Sequence, residues 1–164
     1  MDNAISQMWL KKALADELLA AYQYWTARHS SRGEGKTDAD DEYEQHAKEE
    51  MEHAEKIMLR LKELGGSPIM DPANLTKYSN PWTPIASREV KEQLDTTIQA
   101  EKDAIVFYRN GLEAMSKNDD PTTQQLFKQI LADEEEHLYD LSELLVEVSD
   151  DPHTSRERLT AATL

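Results

Sequence analysis

The sequence predicts an all-α protein, an antiparallel four-helix bundle with one long crossover between helices 2 and 3. Three observations carry this reading. Apolar residues recur at steps of three and four along four long stretches. No alternating run of strand length and no hairpin signal occurs. The 5 Gly and 6 Pro in 164 residues fall mostly between those stretches.

The first helix is expected from about Ile5 to Arg28, ending before SSRGEG, whose glycines tolerate the positive φ of a helix end. The second starts near Asp40 or Asp41, acids suited to a helix N-terminus, and runs to Leu64, where Gly65, Gly66 and Pro68 stop it. The third opens at Ser87 and continues to about Lys117, where KNDDP breaks it. The fourth starts at Pro121, which suits a first helical turn, and ends near Val148. Ser30 to Ala39 and Asn118 to Asp120 are short links that favour antiparallel pairs, whereas Ser67 to Ala86 holds four of the six prolines and forms the crossover. Residues 1–150 thus read as one bundle domain. Residues 151–164 read as a tail, with a short fifth helix expected from near Thr154 or Ser155.

Composition narrows the chemistry. The chain has no cysteine, which excludes disulfide scaffolds, thiolate metal sites and cysteine nucleophiles. Its 33 acidic against 18 basic residues, a net charge of −15, argue against a nucleic-acid partner, since phosphate binding needs clustered Lys and Arg. No apolar run is long enough for a bilayer, so no membrane partner is expected. The start MDNAISQMWLKK lacks the pattern of a secretory signal, and a cytoplasmic location is the expectation.

Each predicted core stripe is interrupted once, always by glutamate. The stripes are Leu10, Leu14, Glu17, Ala21, Tyr24, Arg28; then Tyr43, Ala47, Glu50, Ala54, Ile57, Leu61, Leu64; then Leu94, Ile98, Glu101, Ile105, Tyr108, Leu112, Met115; and Phe127, Leu131, Glu134, Leu138, Leu141, Leu145, Val148. A buried carboxylate is costly unless its charge is compensated. Four at matched depth call for a shared cation. Glu50-x-x-His53 and Glu134-x-x-His137 add an imidazole on the same helical side as each glutamate. Carboxylate with imidazole suits iron or manganese. Four Glu and two His are the inventory of a dinuclear carboxylate site in a bundle core.

An internal repeat agrees. Glu17 and Glu101, Ala20 and Ala104, Tyr24 and Tyr108, Glu50 and Glu134, His53 and His137, and Leu61 and Leu145 are each 84 residues apart. The halves are therefore expected to be related helix pairs around a pseudo-two-fold site. The hydroxyls of Tyr24 and Tyr108 can reach ligand carboxylates of the opposite half, or each ring can serve only as core volume.

The blocks ADELLAAYQYW, AKEEMEHAEKIMLRL, AEKDAIVFY and LADEEEHLYDLSELL resemble the ferritin-like superfamily, and within it the bacterioferritin type. The resemblance spans about Ile5 to Val148. It implies that Glu17, Glu50, His53 and Glu134 bind one iron and that Glu101, Glu134, His137 and Glu50 bind the other, with Glu50 and Glu134 bridging. It further implies a ferroxidase that oxidises Fe2+ with O2 or H2O2, two irons per subunit, storage within a cage, and an external reductant for release. The crossover is longer than in typical bacterioferritins and looks more like that of Dps-like proteins with a bacterioferritin-type centre in a twelve-subunit shell. Those often carry a cysteine pair, which this chain lacks, so twelve and twenty-four subunits both stay open. A non-storage dimetal enzyme, such as a rubrerythrin-like peroxidase or a manganese catalase, is the alternative.

Met51 stands where haem-binding bacterioferritins place an axial methionine, which makes haem a further cofactor to consider. Adaptable packing of Met51 and Met58 at a dimer interface is the preferred reading. With Met8, Trp9, Leu19, Tyr22 and Trp25 they suggest a second buried face across a two-fold. His46, Glu49 and Asp133 lie within about a turn of the ligands and are candidates for an iron access route.

Overall fold

The computed structural model describes residues 1–69 and 71–150, and the fifth helix expected near Thr154 lies outside them. Four long helices form the bundle: α1 (Asn3–Ser30), α2 (Lys36–Glu63), α4 (Val90–Lys117) and α5 (Pro121–Asp150). The crossover carries a 3₁₀ turn, Pro72–Asn74, and a one-turn helix α3, Leu75–Tyr78. α1 packs along α2 and α4 along α5, and the two hairpins meet through α1 with α4 and α2 with α5. No strand occurs among the described residues; one isolated bridge pairs Arg32 with Glu89. The all-α bundle with its single crossover is therefore as the sequence predicts.

Helix α2 begins at Lys36, earlier than the expected Asp40 or Asp41. Gly33 and Gly35 adopt φ of +97° and +70°, so the chain reverses within a few residues. A side chain at position 35 would also meet Val148 at 2.4 Å. The link is held by backbone bonds from Arg32 N–H to Arg88 C=O (2.7 Å) and from Val90 N–H to Arg32 C=O (3.1 Å). Those bonds use the backbone around residues 88–90, which explains why α4 starts at Val90 and not at Ser87.

The core falls into two apolar layers. One contains Leu10, Leu14, Ile57, Leu61, Phe107 and Phe127. The other contains Tyr24, Tyr43, Leu94, Ile98, Leu141 and Leu144. Each fully buried large apolar side chain stabilises the fold by roughly 1.5–3 kcal/mol. These layers offset the cost of the acidic layer between them. Two expectations are corrected. Arg28 is only half-buried and pairs with Glu44, while Ala27 takes the core position. Leu19 is buried within the chain, so it does not belong to the exposed face; Met8, Tyr22, Trp25 and Met51 do.

Candidate metal centre

Between the apolar layers, Glu17 from α1, Glu50 and His53 from α2, Glu101 from α4, and Glu134 and His137 from α5 are all at most 3% exposed. Their ligand atoms form two groups, each within 4.8 Å. One is Glu17, Glu50, His53 and Glu134; the other is Glu50, Glu101, Glu134 and His137. Glu50 and Glu134 belong to both. The helical i, i+3 spacing puts each histidine beside the glutamate of its own helix, and helix packing brings in the carboxylates of the other half.

The imidazoles face the centre through Nδ1. His53 Nδ1 lies 3.1 Å from Glu17, 3.3 Å from Glu50 and 3.5 Å from Glu134. His137 Nδ1 lies 3.4 Å from Glu50 and 3.7 Å from Glu134. Each Nε2 turns outward and donates to a carboxylate of the opposite half: His53 to Asp133 (3.0 Å) and His137 to Glu49 (2.9 Å). A carboxylate on Nε2 fixes the tautomer that leaves Nδ1 free to bind an ion. The tyrosines cross the same way. Tyr24 donates to Glu101 and Tyr108 donates to Glu17.

Burial drives the electrostatics. It raises Glu50 and Glu101, helped by their neighbouring glutamates, so the acidic layer resists holding four free charges. Burial lowers His137, but the neighbouring Glu134 and Glu50 carboxylates outweigh it and push it up to about 12. His53 is raised in the same manner. Tyr24 and Tyr108 are held well above the usual phenol range, first by burial and then by the adjacent glutamates, and stay protonated donors. His46, buried and close to His137, is pushed down to about 3 and is neutral.

The donor set fits a pair of divalent cations. Glu50 Oε1, Glu134 Oε1 and His137 Nδ1 are buried without hydrogen-bond partners, which is unfavourable for a metal-free core. Once arriving ions displace the imidazole protons, four carboxylates with two neutral imidazoles carry four negative charges, which two divalent ions neutralise. No sulfur is among the donors, so the set favours iron or manganese over softer ions.

Two cavities flank the centre. One of about 250 Å³ lies between α1, α4 and the crossover, reaching Glu17, Glu101 and Tyr24 beneath Trp82. Asp16 lines it; burial pushes its carboxyl up to about 7, despite hydrogen bonds from Asn80 (2.6 and 2.9 Å) that anchor the crossover. The other, about 160 Å³, lies between α2 and α5 and reaches His53 and His137 past Glu49 and Asp133. The three residues expected on an access route therefore separate. Glu49 and Asp133 line this cleft and hold His137 and His53, whereas His46 is fully buried and stacks on His137 with ring centroids 4.1 Å apart. Asp16, Glu42 and Asp140 were not expected near the centre; only the i, i+4 spacing of Glu42 and His46 hints at their group in the sequence. Met51 lies half-exposed on the surface of α2, outside the buried cluster.

Residues 9–150 match the ferritin-like domain family. Similar proteins include the bacterioferritin of Brucella melitensis, 31% identical over 129 residues, covering 79% of this chain and 75% of the relative. The bacterioferritin of Rhodobacter capsulatus is 30% identical over 131 residues, covering 79% of this chain and 76% of the relative. Among solved structures, a dodecameric thioferritin, the bacterioferritin-related protein of Bacteroides fragilis, superposes with a TM-score of 0.86 at 32% identity, covering 91% of this chain and 89% of that one. DpsC of Streptomyces coelicolor shares the fold, with a TM-score of 0.82 at 22% identity over 87% of this chain and 84% of that one.

Proposed function

The chain belongs to the ferritin-like domain family, and on that footing we propose that it is an iron-storing ferroxidase. Glu17, Glu50, His53, Glu101, Glu134 and His137 take up two Fe2+ as substrate, in a homo-oligomeric cage that retains the ferric product. The observation that carries the reading is the pair of four-residue groups sharing Glu50 and Glu134, fully buried and with unpartnered oxygens. The likeness to a dodecameric relative supports a twelve-subunit shell over one of twenty-four.

Two ferrous ions supply two electrons, which reduce H2O2 with two protons to two waters, or O2 with two protons to H2O2. The protein's part is to hold charge and geometry. Glu50 and Glu134 neutralise both positions at once, and carboxylates can change from one-oxygen to two-oxygen ligation as charge on the substrate changes. Asp133 and Glu49 keep the imidazoles aimed inward, and Tyr24 and Tyr108 pin the terminal Glu101 and Glu17. The flanking apolar layers exclude bulk water and hold these groups in place before substrate arrives.

The test is to load anaerobic protein with Fe2+, add oxidant, and measure the oxidation rate, particle mass and iron retained. A large shell holding many irons per chain is expected. A small oligomer keeping about two per chain would instead indicate a non-storage dimetal enzyme. Glu134→Ala, which removes a carboxylate shared by both positions, is expected to abolish rapid oxidation; wild-type kinetics would overturn the site assignment.

A further inference from the structure

A second group of potential ligands lies beside the dinuclear centre. Glu42, His46 and Asp140 bring a carboxylate oxygen, an imidazole nitrogen and a second carboxylate oxygen within 4.8 Å of one another. His46 is 0% exposed, and neither ring nitrogen has a hydrogen-bond partner. A neutral imidazole carries one N–H and one lone pair, so a fully buried ring with both unanswered is an unusual expense for a core. Its Nε2 faces Glu42 at 3.6 Å, beyond hydrogen-bond reach but close enough for one ion to lie between them. Glu49 and His137 also lie within ligand distance of His46, but they are hydrogen-bonded to each other and Glu50 belongs to the dinuclear centre, which leaves Glu42 and Asp140 for His46.

The internal repeat shows that the fold does not demand this trio. Moved by 84 residues, Glu42, His46 and Asp140 correspond to Leu126, Ile130 and Lys56. Ile130 is fully buried in the apolar core, so an aliphatic side chain satisfies packing at that depth. Lys56 puts a cation where the other half has Asp140. The pseudo-two-fold is thus broken at this position, and on one side only the break assembles two carboxylates around an unpartnered imidazole. Burial and the charges of Asp140, Glu49 and Asp41 raise the Glu42 carboxyl, as expected where acids crowd together.

We propose that Glu42, His46 and Asp140 form a third, mononuclear site for a borderline divalent cation of the Fe2+, Co2+ or Zn2+ class. Two carboxylates with one neutral imidazole neutralise a divalent ion and leave further positions for water. The ring stacking of His46 on His137 sets the site directly against the dinuclear centre, while half-buried Glu42 and Asp140 extend toward the surface of α2 and α5. A role as a staging position for iron rests on the ferroxidase reading; the existence of the site does not.

The test uses Co2+ as a redox-stable probe under anaerobic conditions, by equilibrium dialysis of the full chain and by anomalous diffraction at the cobalt edge. The wild type is expected to bind three Co2+ per chain, with a peak between Glu42, His46 and Asp140. His46→Ile, which copies the residue that already fits at position 130, and Asp140→Asn are each expected to bind two. Glu134→Ala is expected to lose the dinuclear pair and keep the ion that depends on His46. Saturation of the wild type at two, both in the dinuclear centre, overturns the proposal, as does a third equivalent that survives in both variants. A wild type that binds a single ion, lost in His46→Ile, would uphold the third site and remove the dinuclear reading instead.

Discussion

Each histidine at the candidate centre is gripped from both ends. Nδ1 faces the glutamates, and Nε2 is tied to Asp133 or Glu49 on the opposite half. Glu49 and Asp133 are themselves 84 residues apart, so the outer brace obeys the same pseudo-symmetry as the ligands. The Asp133 side chain is 45% exposed, and its loss has little consequence for packing. Asp133→Ala is therefore expected to leave thermal stability nearly unchanged while weakening Fe2+ binding roughly 10–100-fold. An anaerobic Fe2+ titration checks this, and wild-type affinity would remove the orienting role. Tyr24→Phe differs in kind. It leaves the buried Glu101 carboxylate without its hydroxyl donor, so the metal-free protein is expected to lose about 1–3 kcal/mol in denaturant unfolding. Loss of stability that disappears on adding Fe2+ or Co2+ would be the signature, because the ion then satisfies the same oxygen.

Helix ends show how local chemistry and long-range contacts share the work. Asp120, 1% exposed, precedes Pro121 and caps α5 by accepting from the Thr123 N–H (3.1 Å). It also accepts from the hydroxyls of Thr123 (2.7 Å) and Ser6 (2.6 Å) and from Arg60 (2.9 Å), tying α1 and α2 to the start of α5. Burial acts to raise this carboxyl, but those donors outweigh it and hold it below the usual aspartate range. Its folded pKa is depressed, so its stabilising contribution is full above about pH 4 and is lost as the pH falls further. Asp120→Ala is expected to cost about 1–2 kcal/mol at neutral pH. The gap from wild type should narrow only below pH 4, as followed by urea unfolding across pH. A gap that already closes at pH 6 would assign the effect to another group. The start of α5 at Pro121 is legible because proline suits a first helical turn. The start of α2 is not, because it depends on Gly35 approaching Val148 and on Arg32 bonding the end of the crossover.

On the scale of the molecule, exposed apolar surface points to assembly. Met8, Tyr22, Trp25 and Met51 remain exposed on α1 and α2, with Trp25 at 60%. A second copy covering that face removes them from water. Trp25→Asp is expected to lower the particle mass in analytical ultracentrifugation without reducing helical content. An unchanged particle would place the interface elsewhere. No described helix is long and apolar enough to cross a membrane.

The sequence by itself determined the fold class, the four helices and the six residues whose spacing points to a dinuclear centre. Those features are periodic, and the helical repeat of 3.6 residues assigns faces within one helix without knowledge of its neighbours. Only the tertiary structure decided what meets across helices. Tyr24 on Glu101, Asp133 on His53, and Glu42 with His46 and Asp140 depend on how far each helix is rotated and shifted against the next. The sequence placed His46 within about a turn of the ligands; only packing shows it buried, stacked on His137 and without a hydrogen-bond partner, where its pseudo-mate is the aliphatic Ile130.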